Sequence, residues 1–164
     1  MDLLHLQNLS SELGELLINK NYSFTSAESC TGGWVGQVAT SVPGSSRWYG
    51  VGFITYSNKA KIEILGVSKE TLKDKGAVSQ EVVEEMVGGA IERSQANLGV
   101  AISGVAGPGG GNKNTPVGTV CMAWKLNDTI YTSTELFNGN RSEVRYKTVE
   151  KAYKRAIYIL EEKK

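Results

Sequence analysis

Leu98-Gly99-Val100-Ala101-Ile102-Ser103 is a run with no alternating polar position, and glycines follow it. A strand of that composition has no face suited to water, so it must be covered on both sides. It reads as the central strand of a sheet with helices above and below. The segments around it fit that frame. Leu6, Leu9, Leu13 and Leu16/Leu17 recur at helical spacing over residues 3–20, with Asp2 in a capping position. Tyr22 to Ala27 reads as a strand, and Thr31 to Thr40 as a short helix ended by Val42-Pro43-Gly44. The second half of Arg47 to Tyr56 is aromatic and β-branched, which predicts another strand. Ser57-Asn58 caps a helix from Lys59 to Leu65, and a second short helix covers about residues 68–75. Ser79 caps a longer helix whose apolar face is Val82, Val83, Met86, Val87, Ala90 and Ile91. After the central run come a glycine-rich loop and a hairpin, Val117 to Lys125 and Thr129 to Phe137, turning at Asn127-Asp128. Val149, Ala152, Ala156 and Ile159/Leu160 mark a last helix from Ser142 onward. The order α-β-α-β-α-α-β-β-β-α predicts an α/β chain: a three-layer α/β/α sandwich with a mixed, about five-stranded sheet. No linker divides it, so residues 1–164 are expected to form one domain.

Composition narrows the function classes. The net charge is +1 and no basic block occurs, which points away from nucleic acid and from membrane surfaces as partners. No apolar run approaches the roughly 18 residues of a membrane span. The leucine-rich N-terminus lacks a basic region and a small-residue cleavage site, so a cytoplasmic protein is expected. Cys30 and Cys121 make no disulfide framework, and His5 is the only histidine. A zinc site and a Ser-His-Asp triad are both disfavoured, and no metal or cofactor is expected.

Three turns rich in glycine or hydroxyls follow three strand ends, at 28–33, 56–61 and 103–111. In open α/β sheets sites gather at the carboxyl ends of strands, so parallel neighbours would bring these turns to one rim. In Glu28-Ser29-Cys30-Thr31-Gly32-Gly33, Ser29 is either a helix-cap hydroxyl or a nucleophile, and free N–H groups of the turn can hold an anion or an oxyanion. Cys30 is a rival nucleophile or a small buried residue. Lys61 lies in the first turn of a helix, where the macrodipole disfavours a cation by about 0.3–1 kcal/mol. It is either a lysine whose stem snorkels over the helix end or one whose lowered pKa suits it to act as a base on serine. Tyr56 is a core aromatic, a proton relay between Lys61 and Ser29, or a donor to substrate. The loop Ser103-Gly104-Val105-Ala106-Gly107-Pro108-Gly109-Gly110-Gly111 permits close backbone approach to a ligand but is neither a Walker A loop nor a dinucleotide fingerprint. Arg141 can clamp a phosphate or carboxylate through its planar fork, or be a solvated charge. Trp34 and Trp48 line a pocket or pack in the core.

Taken together, several segments resemble the CinA C-terminal domain family. They are Ala27 to Gly33, Pro43-Gly44-Ser45-Ser46, Thr55-Tyr56-Ser57-Asn58-Lys59-Ala60-Lys61, Gly76-Ala77-Val78-Ser79, Ser103 to Pro108, Pro116 to Val120 and Phe137-Asn138-Gly139-Asn140-Arg141. The resemblance runs in order from about residue 5 to residue 160. It implies hydrolysis of the carboxamide of nicotinamide mononucleotide to nicotinate mononucleotide and ammonia, in the recycling of pyridine nucleotides. The family's serine nucleophile falls on Ser29, its lysine on Lys61 and its tyrosine on Tyr56. The matching turns would hold substrate, with Glu28, Cys30, Thr31, Gly32, Gly33, Asn58, Ser103, Gly104, Gly107 and Arg141 as the candidates. One departure is Asn140, where an acidic residue is expected in many relatives. A homodimer is expected. The rival expectation is a non-catalytic nucleotide-binding or assembly module using the same turns.

Overall fold

The structure is a computed structural model and describes residues 1–162. Its elements are α1 (Leu3–Lys20), β1 (Phe24–Glu28), α2 (Trp34–Thr40), β2 (Tyr49–Ile54), α3 (Asn58–Leu65), α4 (Lys69–Lys75), α5 (Gln80–Ser94), β3 (Leu98–Gly104), β4 (Thr119–Leu126), β5 (Thr129–Leu136) and α6 (Arg141–Glu162). The sheet has five strands in the order β2-β1-β3-β4-β5. β2, β1 and β3 run parallel, while β4 and β5 are antiparallel additions. This is the expected three-layer α/β sandwich with a mixed sheet. Among the described residues, no helix is long and apolar enough to cross a membrane.

The strand faces decide the layers. Phe24, Val100, Ile102, Met122 and Trp124 pack with the leucines of α1 and with Val149, Ala152 and Tyr153 of α6. The opposite face carries small residues, Ala27, Ala101, Ala123 and Cys121, which pack with Val83, Met86, Val87 and Ala90 of α5. The run from Leu98 to Ser103 lies at the centre, and each of its residues is buried, as a strand covered on both faces must be.

Element ends depart from the sequence reading for local reasons. β1 starts at Phe24 because Tyr22 and Asn21 close α1 instead: their N–H groups donate to Leu17 O and Ile18 O, with Asn21 at φ 54°. α2 starts at Trp34 because Gly32 and Gly33 take φ values of 61° and 94°, which a right-handed helix does not allow. β4 starts at Thr119 because the Gly118 N–H donates back to Val105 O. Asn140 caps α6, its Oδ1 accepting from the N–H groups of Ser142 and Glu143. Asn and Asp are equally good at that position, so the departure from an acidic residue costs the helix nothing.

The parallel register places the site. Glu28 pairs with Ile54 on one side and with Ile102 on the other, so β1 and β2 end at one level and β3 runs two residues past it, to Gly104. The pairing runs one residue further: the Ser29 N–H donates to Ile102 O at 3.0 Å and the Thr55 N–H to Glu28 O at 2.9 Å.

α5 lies against the end of α3 at Gly89, where a Cβ would sit 1.9 Å from Leu65 O. Alanine in a helix normally gains up to about 1 kcal/mol over glycine. Here the obstacle is backbone and cannot swing away, so overpacking wins. Gly89→Ala is expected to destabilise the protein by about 1–3 kcal/mol in urea unfolding, and a neutral or stabilising result would contradict the close approach.

Candidate active site

Ser29 is the first residue beyond β1, and its main chain is pinned by β3. Its Oγ lies 3.1 Å from Lys61 Nζ. Lys61 sits in the first turn of α3, which Ser57 caps by accepting from the Ala60 N–H at 3.0 Å. That turn brings the lysine stem back under the sheet's rim, where Nζ donates to Thr55 O at 2.8 Å. The side chain is 1% exposed. Among the described residues, no carboxylate forms an ion pair with it. An ammonium buried without a counter-charge is costly, and the positive end of α3 adds to the cost. Burial accordingly lowers the Lys61 pKa from its ordinary 10.5, outweighing an opposing pull from Cys30. Once neutral, the amine still donates to Thr55 O and turns its lone pair to the Ser29 hydroxyl. That is the arrangement of a base beside a nucleophile.

Glu28 is buried and faces the other side of the strand. Oε2 accepts from Thr31 Oγ1 at 2.7 Å, the Gly33 N–H at 3.0 Å and the Val35 N–H at 3.1 Å. Oε1 accepts from the Gly36 N–H at 3.0 Å and from Ser26 Oγ at 3.3 Å. The carboxylate is thus an internal cap for α2 and takes the donors that an anionic ligand would need there. Within the turn, the Gly32 N–H donates to Ser29 O at 3.0 Å. The Cys30 N–H meets no carbonyl or carboxylate among the described residues. Burial, the largest influence, pushes the Cys30 thiol up to about 11, so a thiolate is disfavoured at this position.

The structure places the other candidates on the same rim but divides them. Tyr56 is 61% exposed, and its hydroxyl accepts from Arg141 Nη2 at 3.1 Å. No hydrogen bond joins it to Ser29 or Lys61 among the described residues, so the relay has no direct link here. Arg141 Nη1 donates to Gly107 O at 2.9 Å, tying α6 to the glycine-rich loop. Beside it, residues 106–108 and 139–143 enclose a hollow of about 830 Å³. Ser103 is buried at the end of β3, and Gly104 presses on Val120 and Thr119 O. Asn58 is exposed at the start of α3. Trp48 is core, packed against Gly14. Trp34 lies under the guanidinium of Arg145, 5.2 Å from the ring centre. Among the described residues, no cluster of His, Cys, Asp or Glu is placed to hold a metal.

Arg145 was not legible as a site residue. Its Nε donates to Cys30 O at 3.0 Å and its Nη2 to Thr31 O at 2.8 Å. The available signal was its spacing: four residues after Arg141 on a helix, it faces the same way.

The lowered Lys61 pKa makes a stability prediction. The unfolded chain holds the lysine proton up to 10.5, whereas the folded protein releases it earlier. Between the folded value and 10.5 the unfolded state therefore binds more protons, and stability rises with pH. Urea unfolding of wild type and Lys61→Met across that window should show a rise in wild type that the variant lacks. Parallel curves would contradict it.

Known proteins resemble the chain over most of its length. The family described as CinA C-terminal domain matches residues 6–160. The nicotinamide-nucleotide amidohydrolase PncC of Escherichia coli K12 is 48% identical over 141 residues, which is 85% of this chain and 86% of that protein. The protein of the same name from Pseudomonas putida is 48% identical over 144 residues, 88% of this chain and 90% of that one. The crystal structure of a competence-damaged protein (CinA) superfamily protein from Enterobacter cloacae superposes with a TM-score of 0.92 at 38% identity, covering 94% of this chain and 92% of that one.

Proposed function

The chain belongs to the CinA C-terminal domain family, and on that premise we propose that it hydrolyses the carboxamide of nicotinamide mononucleotide to nicotinate mononucleotide and ammonia. Ser29 is the nucleophile and Lys61 its base. The observation that carries the reading is the 3.1 Å contact between Ser29 Oγ and a buried amine without a counter-charge. The relatives' name, nicotinamide-nucleotide amidohydrolase, supplies the substrate.

Neutral Lys61 takes the Ser29 proton as Oγ attacks the carboxamide carbon. A C–O bond forms, and the carbonyl electrons move to oxygen. The cationic pyridinium ring draws electrons from that carbon and eases the attack. The N–H of the residue after a nucleophile is well placed for the resulting oxyanion, which gives Cys30 that role. Lys61 returns its proton to the amide nitrogen, the C–N bond breaks, and ammonia leaves. Water then adds to the acyl-enzyme, gives a proton to Lys61, and Ser29 is released as the carboxylate forms. Phosphate binding falls to the other end of the site. The start of α2 has only seven helical residues and is already capped by Glu28, which favours Arg141 and the 104–108 loop for the nucleotide phosphate. Tyr56, held by Arg141, then serves as a donor to substrate. The reading extends to pyridine nucleotide recycling in the cytoplasm by a homodimer, whose mass sedimentation equilibrium would give.

Ammonia release from nicotinamide mononucleotide tests the proposal. Ser29→Ala should lower kcat by at least about 10³-fold while keeping substrate binding. Lys61→Arg should lower it by about 10²–10⁴-fold, because arginine stays protonated. In wild type the rate should rise with pH along a limb centred below 10.5, as Lys61 loses its proton. A fully active Lys61→Arg protein, or a wild type without turnover at any pH, would sink the assignment.

A further inference from the structure

Arg145 spends its guanidinium in an unusual way. Among the described residues it forms no ion pair with a carboxylate. Instead its fork spans two successive carbonyls of the nucleophile's turn, Cys30 O at 3.0 Å and Thr31 O at 2.8 Å. The Trp34 ring, 5.2 Å away, supports its plane. Such charge-assisted bonds are about twice as strong as neutral ones.

The consequence runs through peptide planarity. In a trans peptide the C=O and the following N–H point in opposite directions, so holding one aims the other. Arg145 on Thr31 O fixes the peptide that carries the Gly32 N–H, and that N–H donates to Ser29 O at 3.0 Å. Ser29 O belongs to the peptide that carries the Cys30 N–H. Arg145 on Cys30 O fixes the peptide between them. Every peptide plane from Ser29 to Gly32 is therefore held: Thr31 O also accepts from the Trp34 N–H at 3.2 Å, whereas Cys30 O accepts from Arg145 alone among the described residues. Glu28 reaches this turn only through a side chain, Thr31 Oγ1 at 2.7 Å, and its backbone donors begin at Gly33.

We propose that Arg145 is a positioning residue, which fixes the Ser29–Gly32 turn so that the Cys30 N–H faces the carbonyl under attack by Ser29. This rests on the amidase reading above. It distinguishes the two arginines of one helix face: Arg145 acts on kcat through the turn, and Arg141 acts on KM through the ligand. Lysine cannot replace Arg145, since a point charge reaches one carbonyl and not two in a plane.

The test is steady-state kinetics of Arg145→Ala and Arg145→Lys, with thermal unfolding to report folding. Loss of a single oxyanion donor lowers rates by about 10²–10³-fold. For Arg145→Ala, kcat is expected to fall by about 10²-fold with KM changed less than threefold. The acid limb of the pH profile stays in place, because Lys61 is untouched. Guanidinium ion added in solution should restore part of the rate, and Arg145→Lys should stay within about tenfold of the alanine variant. Should the alanine variant unfold, Arg145→Gln, which can donate to one carbonyl, gives the same comparison. A second readout is independent of the substrate. A fluorophosphonate labels an activated serine by forming a P–O bond and expelling fluoride, and intact mass follows the rate at Ser29. Labelling should slow in Arg145→Ala by about as much as kcat. Unchanged kcat and unchanged labelling, or an effect confined to KM, would overturn the inference. Wild type that is labelled at Ser29 but releases no ammonia from nicotinamide mononucleotide sinks the substrate reading alone, and the labelling ratio still decides Arg145. Wild type that does neither overturns both.

Discussion

Everything at the rim of the sheet is arranged around an amine buried without an anion. Lys61 could be accommodated cheaply if a carboxylate faced it, and Glu28 is the adjacent acidic residue in the sequence of the turn. The fold turns Glu28 to the opposite face of β1 and spends it on the first turn of α2. What remains beside Lys61 is a carbonyl, Thr55 O, and a hydroxyl, Ser29 Oγ. A carbonyl satisfies one N–H whether or not the amine is charged. Burial then lowers the pKa, and the hydroxyl is the group that gains from it.

This division also separates the two ends of a ligand. A helix start with free N–H groups attracts phosphate, and α2 has been denied that role by its own carboxylate cap. On the proposed reading, the turn is left with the short-range task of meeting one carbonyl oxygen. The long-range positive charge sits on α6, where Arg141 bridges Tyr56 and the glycine-rich loop. An anionic ligand and a neutral carboxamide can thus be held by different elements without competing for the same donors.

Much of the fold was legible because its signals are local. The run from Leu98 to Ser103 fixed the centre of the sheet, and serine caps marked α3 and α5 where the structure has them. The boundaries that shifted, at Tyr22, Thr31 and Val117, depend on hydrogen bonds that close after the elements pack. The placement of Ser29 and Lys61 in one contact follows from parallel register, which the strand ends suggested. The direction of Glu28 was not legible, since a carboxylate in a turn reads equally as ligand contact and as cap. Tyr56 was expected near the amine, but its exposed phenol instead reaches a helix 85 residues further along the chain. Arg145 was not legible because one arginine among the many cations of α6 looks like any solvated charge.

Lys61 is held neutral more readily than an ordinary lysine, and the amine itself can be titrated. Protein carrying lysine labelled with carbon-13 at Cε, with the Lys61 signal assigned from its loss in Lys61→Met, gives the titration curve directly by NMR. The Lys61 midpoint is expected below 10.5 and below those of the exposed lysines, with burial as its cause. A Lys61 midpoint at or above the exposed lysines would contradict it.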